Sequence, residues 1–443
     1  MQLLIFLAVA IQIALLVAMV MRLRKRSLGS IGFLLLAATF VYHGLTEFAQ
    51  VLFPDRNPYR DMTTTAGVAN FTLLMSVAMT LFTLTYLLRL RRPAHFSFRE
   101  LLERLDRTYL LKWPVLIGLG VPSFIFLLRS QADLNSGGYW TAGLAYQFTP
   151  IILTLSFATI CLKLAGRYFL SVFIVFSILL IASGSRFEVI ATALLAISAM
   201  VRYRVSLPVR TLLVISIILL VSMIAITASR GTYGRFNSGE SLSFRLGAIA
   251  TAIASPDDIR LDEILDDTIY RFDGNSFGAL ILERQSDGYG VTGMTQVITT
   301  LKYMIPSFLY PNKLDLEEYQ RNEEAYAVEF YALPEIDYAS DFWTMLLCYG
   351  GSWGLLMCGL VLGWVVAGID NWLSGSSDPT AYIVGLGIST LPANLELGVA
   401  GAIYILRALA VLAVVAWLVS SKHKIALTSV KTSPPVPYLT QRT

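Results

Sequence analysis

Four arginines stand in stretches otherwise poor in charge. Arg186 lies in Ser183-Gly-Ser-Arg-Phe-Glu188, a tight turn between two apolar segments, and Arg230 and Arg235 lie in Ala228-Ser-Arg-Gly-Thr-Tyr-Gly-Arg235. Arg407 falls inside the last apolar segment. A guanidinium grips phosphate oxygens through two parallel hydrogen bonds, and the flanking Ser and Gly leave room for a bulky anion. Arginines gathered at one membrane boundary point to a site for a lipid-linked phosphate or pyrophosphate, because charges at such depth are costly unless they face a polar cavity or partner. The competing account is snorkelling to lipid headgroups, or pairing with Glu188 and Glu396.

A second set of groups could move protons or hold sugars. Tyr270-Arg-Phe-Asp-Gly-Asn275 puts Arg271 and Asp273 together before a glycine; the pair could bind a sugar, position a base, or form a structural ion pair. Asp341 stands beside Trp343 in Tyr338-Ala-Ser-Asp-Phe-Trp343, where the chain turns apolar again. His43 and Glu47, at i and i+4, share one helix face in an apolar segment. Intramembrane ionisable pairs invite a functional hypothesis, and a helix-packing hydrogen bond accounts for them equally well. The sequence contains three histidines, no HxxxH, no CxxC, no P-loop and no GxSxG. These absences argue against a metal centre and nucleotide-dependent chemistry.

These residues need a membrane scaffold. Of the 443 residues, 56% are apolar and 14% charged, against roughly 25% charged in soluble domains; mean hydropathy is +0.64. A spanning helix takes about 20 apolar residues. Windows of that length fall at 3–21, 31–53, 66–88, 113–128, 146–164, 168–184, 187–201, 211–228, 343–369, 381–393 and 400–420, an expectation of about 11 spans in an all-α bundle. The first lacks a basic leader and a small-residue cleavage site and reads as a retained helix.

Lys and Arg concentrate in one set of short connections: Arg22 to Arg26, Arg89 to Lys112, Lys163 and Arg167, Arg202 to Arg210, and Lys422 and Lys424. The positive-inside rule makes that set cytoplasmic, with the N-terminus outside and the C-terminus inside. Segment 95–112, apolar on one face and basic on the other, reads as an amphipathic helix on the inner leaflet.

The chain divides into 1–228 (spans one to eight), 229–342 (an extracytoplasmic loop), 343–420 (spans nine to eleven) and a cytoplasmic tail, 421–443. The loop holds nine basic and nineteen acidic residues. At that length it is a functional unit and no plain connector. Helical runs at 242–254, 259–272, 275–284 and 293–304 predict a mostly helical domain capping the bundle. Met304-Ile-Pro-Ser-Phe-Leu-Tyr-Pro-Asn-Lys313 reads as an extended turn, since proline cannot continue a helix. The acidic run Asp315, Glu317, Glu318, Glu323, Glu324 and Glu329 reads mostly as a solvated helix face.

The order of these features resembles the Wzy-type O-antigen and exopolysaccharide repeat-unit polymerases. The resemblance rests on Gly184-Ser-Arg186, Ser229-Arg-Gly231, a late loop with Arg271-Phe-Asp273 and Ile305-Pro-Ser-Phe-Leu-Tyr-Pro-Asn-Lys313, and the return Asp341-Phe-Trp-Thr-Met345 leading to Tyr349-Gly-Gly-Ser-Trp-Gly354. Relatives tend to show Glu-x-Tyr and then Asn-Phe-Gly at this return.

The resemblance implies a metal-independent glycosyltransferase of the bacterial inner membrane, similar to the GT-C class and acting at the periplasmic face. Donor and acceptor would be oligosaccharides on undecaprenyl pyrophosphate, and a chain-length regulator protein would be a partner. No cofactor and no nucleic acid enter. It assigns Arg186, Arg230, Arg235 and Arg407 to pyrophosphate, Arg271 to glycan or pyrophosphate, and Asp273 or Asp341 as general base. An O-antigen ligase is the sister alternative, against which stands the lack of histidine in 229–342. A lipid-linked oligosaccharide flippase is the other, against which stands the lack of an internal repeat.

Overall fold

A computed structural model describes residues 1–23, 30–52, 62–91, 273–305, 323–334, 338 and 340–375, with scattered positions in 210–251 and 388–414. All its regular elements among the described residues are helical: α1 (Gln2–Leu23), α2 (Ile31–Phe40), a π-helical turn (Val41–Leu45), α3 (Thr46–Leu52), α4 (Thr65–Arg89), α5 (Gly274–Ser286), α6 (Thr295–Met304), α7 (Glu323–Phe330) and α8 (Phe342–Gly375). Four helical stretches among them are long and apolar enough to cross a membrane: Gln2–Leu23, Ile31–Gln50, Thr65–Arg89 and Phe342–Ser374. The chain is a membrane protein with a helical bundle. Segment 95–112, most of the windows between 113 and 228, and the Pro306 to Lys313 turn lie outside the described residues.

The spans begin where the sequence offers caps. Ser30 accepts the Phe33 N–H and starts α2; Thr64 accepts the Gly67 N–H and starts α4. Asp341 and Thr344 cap α8 reciprocally, the Thr344 N–H to Asp341 Oδ1 and the Asp341 N–H to Thr344 Oγ1, both at 2.8 Å.

Helices α4 and α8 run parallel and touch through small residues. A Cβ at Gly359 would stand 2.7 Å from the Ala78 carbonyl oxygen, and one at Gly363 2.2 Å from that of Phe82. Glycines four apart let two backbones approach where lipid supplies no hydrophobic drive. Gln12 Nε2 ties α1 to Ser76 on α4 at 3.0 Å, and the Ser76 hydroxyl donates to the Ala8 carbonyl.

The bundle has two distinguishable ends. At one, Asp370 of α8 accepts the Ile31 and Gly32 N–H groups and the Ser30 and Tyr86 hydroxyls, so three spans meet on one buried carboxylate. At the other, Glu283 of α5 accepts the Thr64 N–H at 3.0 Å. Helix α5 then runs antiparallel to α4, with Gly278 against the Phe71 ring. Phe71 lies about 9 Å along α4 from Thr65 at 1.5 Å per residue. The first turn of α5 therefore sits within the bundle. The described part of loop 229–342 packs alongside the spans, and Phe277, Ile281 and Tyr331 share a core with Phe71, Met75, Trp343 and Leu347.

Loop residues also stitch a kink in α8. Gly351 has φ 61 and ψ −163, a conformation closed to residues with a Cβ. Carbonyls ahead of such a break lose their helical donors. Gln285 Nε2 donates to the Leu347 carbonyl at 3.2 Å, and the Thr292 N–H and hydroxyl donate to that of Cys348 at 2.9 and 3.0 Å.

Candidate functional site

His43 occupies the π-helical turn of the second span, with Gly44 beside it. The wide turn leaves backbone carbonyls without their usual donors, and the Thr46 hydroxyl serves those of Val41 and Tyr42, both at 2.8 Å. Gly44 leaves room for the Phe40 ring, which a Cβ would meet at 2.4 Å and have to displace. Single π turns recur at functional sites.

Three elements converge on the imidazole. Its Nε2 is 2.8 Å from Asp341 Oδ2 at the start of α8, and its Nδ1 is 2.7 Å from Asn275 Oδ1 in the first turn of α5. The Asn275 amide nitrogen donates to the His43 carbonyl and to Glu47 Oε1, both at 2.8 Å. Those two acceptors fix the amide, so its oxygen accepts and Nδ1 of His43 carries a hydrogen. A second proton lies between Nε2 and the Asp341 carboxyl. His43, Asn275 and Asp341 have no exposed surface, and Phe71 meets the ring edge-on at 5.7 Å. Trp343 Nε1 donates to Thr39 Oγ1 at 2.8 Å, closing the floor of the cluster.

Both aspartates marked by the sequence prove to be helix caps. Asp273 accepts the Ser276 N–H at 3.1 Å and the Ser276 hydroxyl at the start of α5. Asp341 caps α8 with one oxygen and faces His43 with the other. Two helix N-termini, each with partial positive charge, are thus aimed at one buried region. The arrangement can fix an imidazole, share a proton between it and a carboxylate, and tie the loop to two spans. Among the described residues, no three metal-ligating side chains form a metal site.

The structure brings Asp341 together with His43 and Glu47, and puts Asp273 two residues from Asn275, which joins the same cluster. Arg186, Arg230, Arg235, Arg271 and Arg407 lie outside the described residues. Asn275 gave no signal of its own in the sequence, being one polar residue after an Asp-Gly turn; only its partners reveal it.

One expectation is corrected. Glu323 and Glu324 on α7 are not a solvated face. Glu323 accepts the Tyr349 hydroxyl of α8 and the Ala400 N–H at 2.9 Å, and burial pushes its carboxyl above the usual range. Glu324 accepts the Tyr338 N–H at 3.0 Å and the Ser340 hydroxyl. Alternation of acidic residues describes a helix surface but says nothing of what packs upon it. No family model matches the chain, and neither do the curated proteins or solved structures.

Proposed function

We propose that the chain polymerises oligosaccharide repeat units carried on undecaprenyl pyrophosphate, by glycosyl transfer at the periplasmic face of the bacterial inner membrane. A hydroxyl of the acceptor sugar attacks the donor's anomeric carbon. The bond to pyrophosphate breaks, the electron pair leaves with the pyrophosphate, and the hydroxyl proton passes to a carboxylate. Arg186, Arg230, Arg235 and Arg407 receive the departing pyrophosphate and Arg271 the glycan or pyrophosphate. Asp341 or Asp273 takes the proton, and His43 is the positioning residue that orients Asp341. Metal is not needed in this scheme, and a chain-length regulator is the expected protein partner.

The observation that supports this reading is the His43–Asp341 contact at 2.8 Å, a buried acid–base pair located where the loop re-enters a bundle of membrane-crossing helices. The test uses purified protein, lipid-linked repeat units, EDTA and no nucleotide. Chain growth is expected, and its absence with an otherwise folded protein overturns the reading. In cells, Asp341→Asn and Arg186→Ala should abolish polymer and leave single repeat units at the surface.

One feature favours a second reading, transport of the lipid-linked oligosaccharide. Helix α5 is a short helix with its N-terminus inside the bundle, beside a π turn, as broken helices in transporters are. Loss of surface single units along with polymer in the same variants would favour it.

A further inference from the structure

At the end of the bundle remote from His43, α4 and α8 border a half-open cavity of about 490 Å³ lined by Leu88, Arg89, Leu90, Arg91, Gly368 and Asn371. The Arg89 guanidinium lies over the Trp364 ring, its carbon 3.4 Å from the centroid, and Nη1 donates to the Trp364 carbonyl at 2.8 Å. Gly368 makes the seat, since a Cβ there would stand 3.1 Å from that guanidinium. Asn371 pins the strand of backbone between the two arginines: its Nδ2 donates to the Arg89 carbonyl at 3.0 Å and its Oδ1 accepts the Arg91 N–H at 2.8 Å. Neither arginine has a carboxylate within ion-pair distance among the described residues. The neighbouring acid, Asp370, is engaged by Ser30, Tyr86 and the first turn of α2.

We propose that this cavity binds the phosphate of an anionic membrane phospholipid. A stacked guanidinium, beside a second one with no carboxylate partner among the described residues, suits a phosphodiester. The source is lipid because an apolar track leads away from the arginines: Leu88 is 77% exposed and Leu84, one turn earlier, 52%, a surface for an acyl chain. Trp364 and Trp372 flank the same end at 54% and 47% exposure, as aromatic side chains do at headgroup level. The site is separate from the His43 cluster, and its failure would leave the proposed reaction standing.

The full chain, purified in mild detergent and stripped of lipid, would be titrated with phosphatidylglycerol, phosphatidylcholine and inorganic phosphate, with bound lipid counted by native mass spectrometry. One phosphatidylglycerol should be retained in preference to phosphatidylcholine. Arg91→Gln, at an exposed side chain, should bind it on the order of tenfold more weakly, and Arg89→Lys, which keeps charge and loses the fork, should also weaken it. Equal retention by wild type and both variants, each with an unchanged elution profile and helical content, overturns the site. Displacement of the lipid by millimolar inorganic phosphate, with equal thermal protection, overturns its assignment to lipid.

Discussion

His43 Nε2 and Asp341 Oδ2 meet at 2.8 Å between residues 298 positions apart, and neither side chain reaches solvent. The contact joins the π turn of the second span to the cap of α8, and Asn275 brings α5 into the same network. Removing one partner strands the other in a dry interior.

His43→Ala and Asp341→Ala should each destabilise the fold by about 3–5 kcal/mol, the usual cost of orphaning a buried charged partner. The double variant should cost clearly less than the sum. A double-mutant cycle on denaturant unfolding in detergent measures this; simple additivity would show that the two groups are not energetically linked.

Close packing of α4 on α8 predicts a steep size dependence. Gly363→Ala sets a methyl against the Phe82 carbonyl and Gly359→Ala one against that of Ala78, so each should cost about 1–3 kcal/mol. Gly350, with nothing within 4 Å of its Cβ position, should tolerate Ala within about 0.5 kcal/mol. Thermal unfolding midpoints of the three variants decide the matter.

The kink in α8 depends on Gly351. Its φ of 61 and ψ of −163 should make Gly351→Ala cost about 1–3 kcal/mol. The substitution should also loosen the Thr292 amide from the Cys348 carbonyl, now at 2.9 Å. Faster hydrogen exchange in the 288–294 peptide is the readout, and unchanged exchange there would separate the kink from the loop.

Burial of Glu323 makes stability depend on pH. Its folded carboxyl titrates above the usual range, so the folded state holds this proton more tightly than the unfolded chain. The resulting stabilisation is complete below the ordinary carboxylate range and is lost as pH rises through the raised folded value. Glu323→Gln should therefore flatten the fall of the melting midpoint from mildly acidic to neutral pH and raise the midpoint at neutrality. A steeper fall in the variant would contradict this.

Among the described residues, the helices of the scaffold were legible in the sequence. Windows 3–21, 31–53, 66–88 and 343–369 match α1, the α2–α3 span, α4 and α8 to within a few residues, because apolar length against bilayer thickness is a one-dimensional property. Loop helices at 275–284 and 293–304 were legible by periodicity and correspond to α5 and α6. His43 with Glu47, and Asp341, stood out because ionisable groups are costly in apolar surroundings, and Asp273 because it follows Arg271 just before a glycine turn.

Partnership was decided only by the tertiary structure. Nothing local links His43 to Asp341, Asn275 to both His43 and Glu47, or Asp370 to Ser30 and Tyr86. Hydropathy fixes that a segment lies in lipid but leaves its rotation and neighbours open, whereas each hydrogen bond needs donor and acceptor within about 3 Å. Glu323 shows the same limit from the other side. Its sequence is that of a water-facing helix, and the contacts with Tyr349 and Ala400 that bury it exist only once α7 packs against the returning span and the backbone at Ala400.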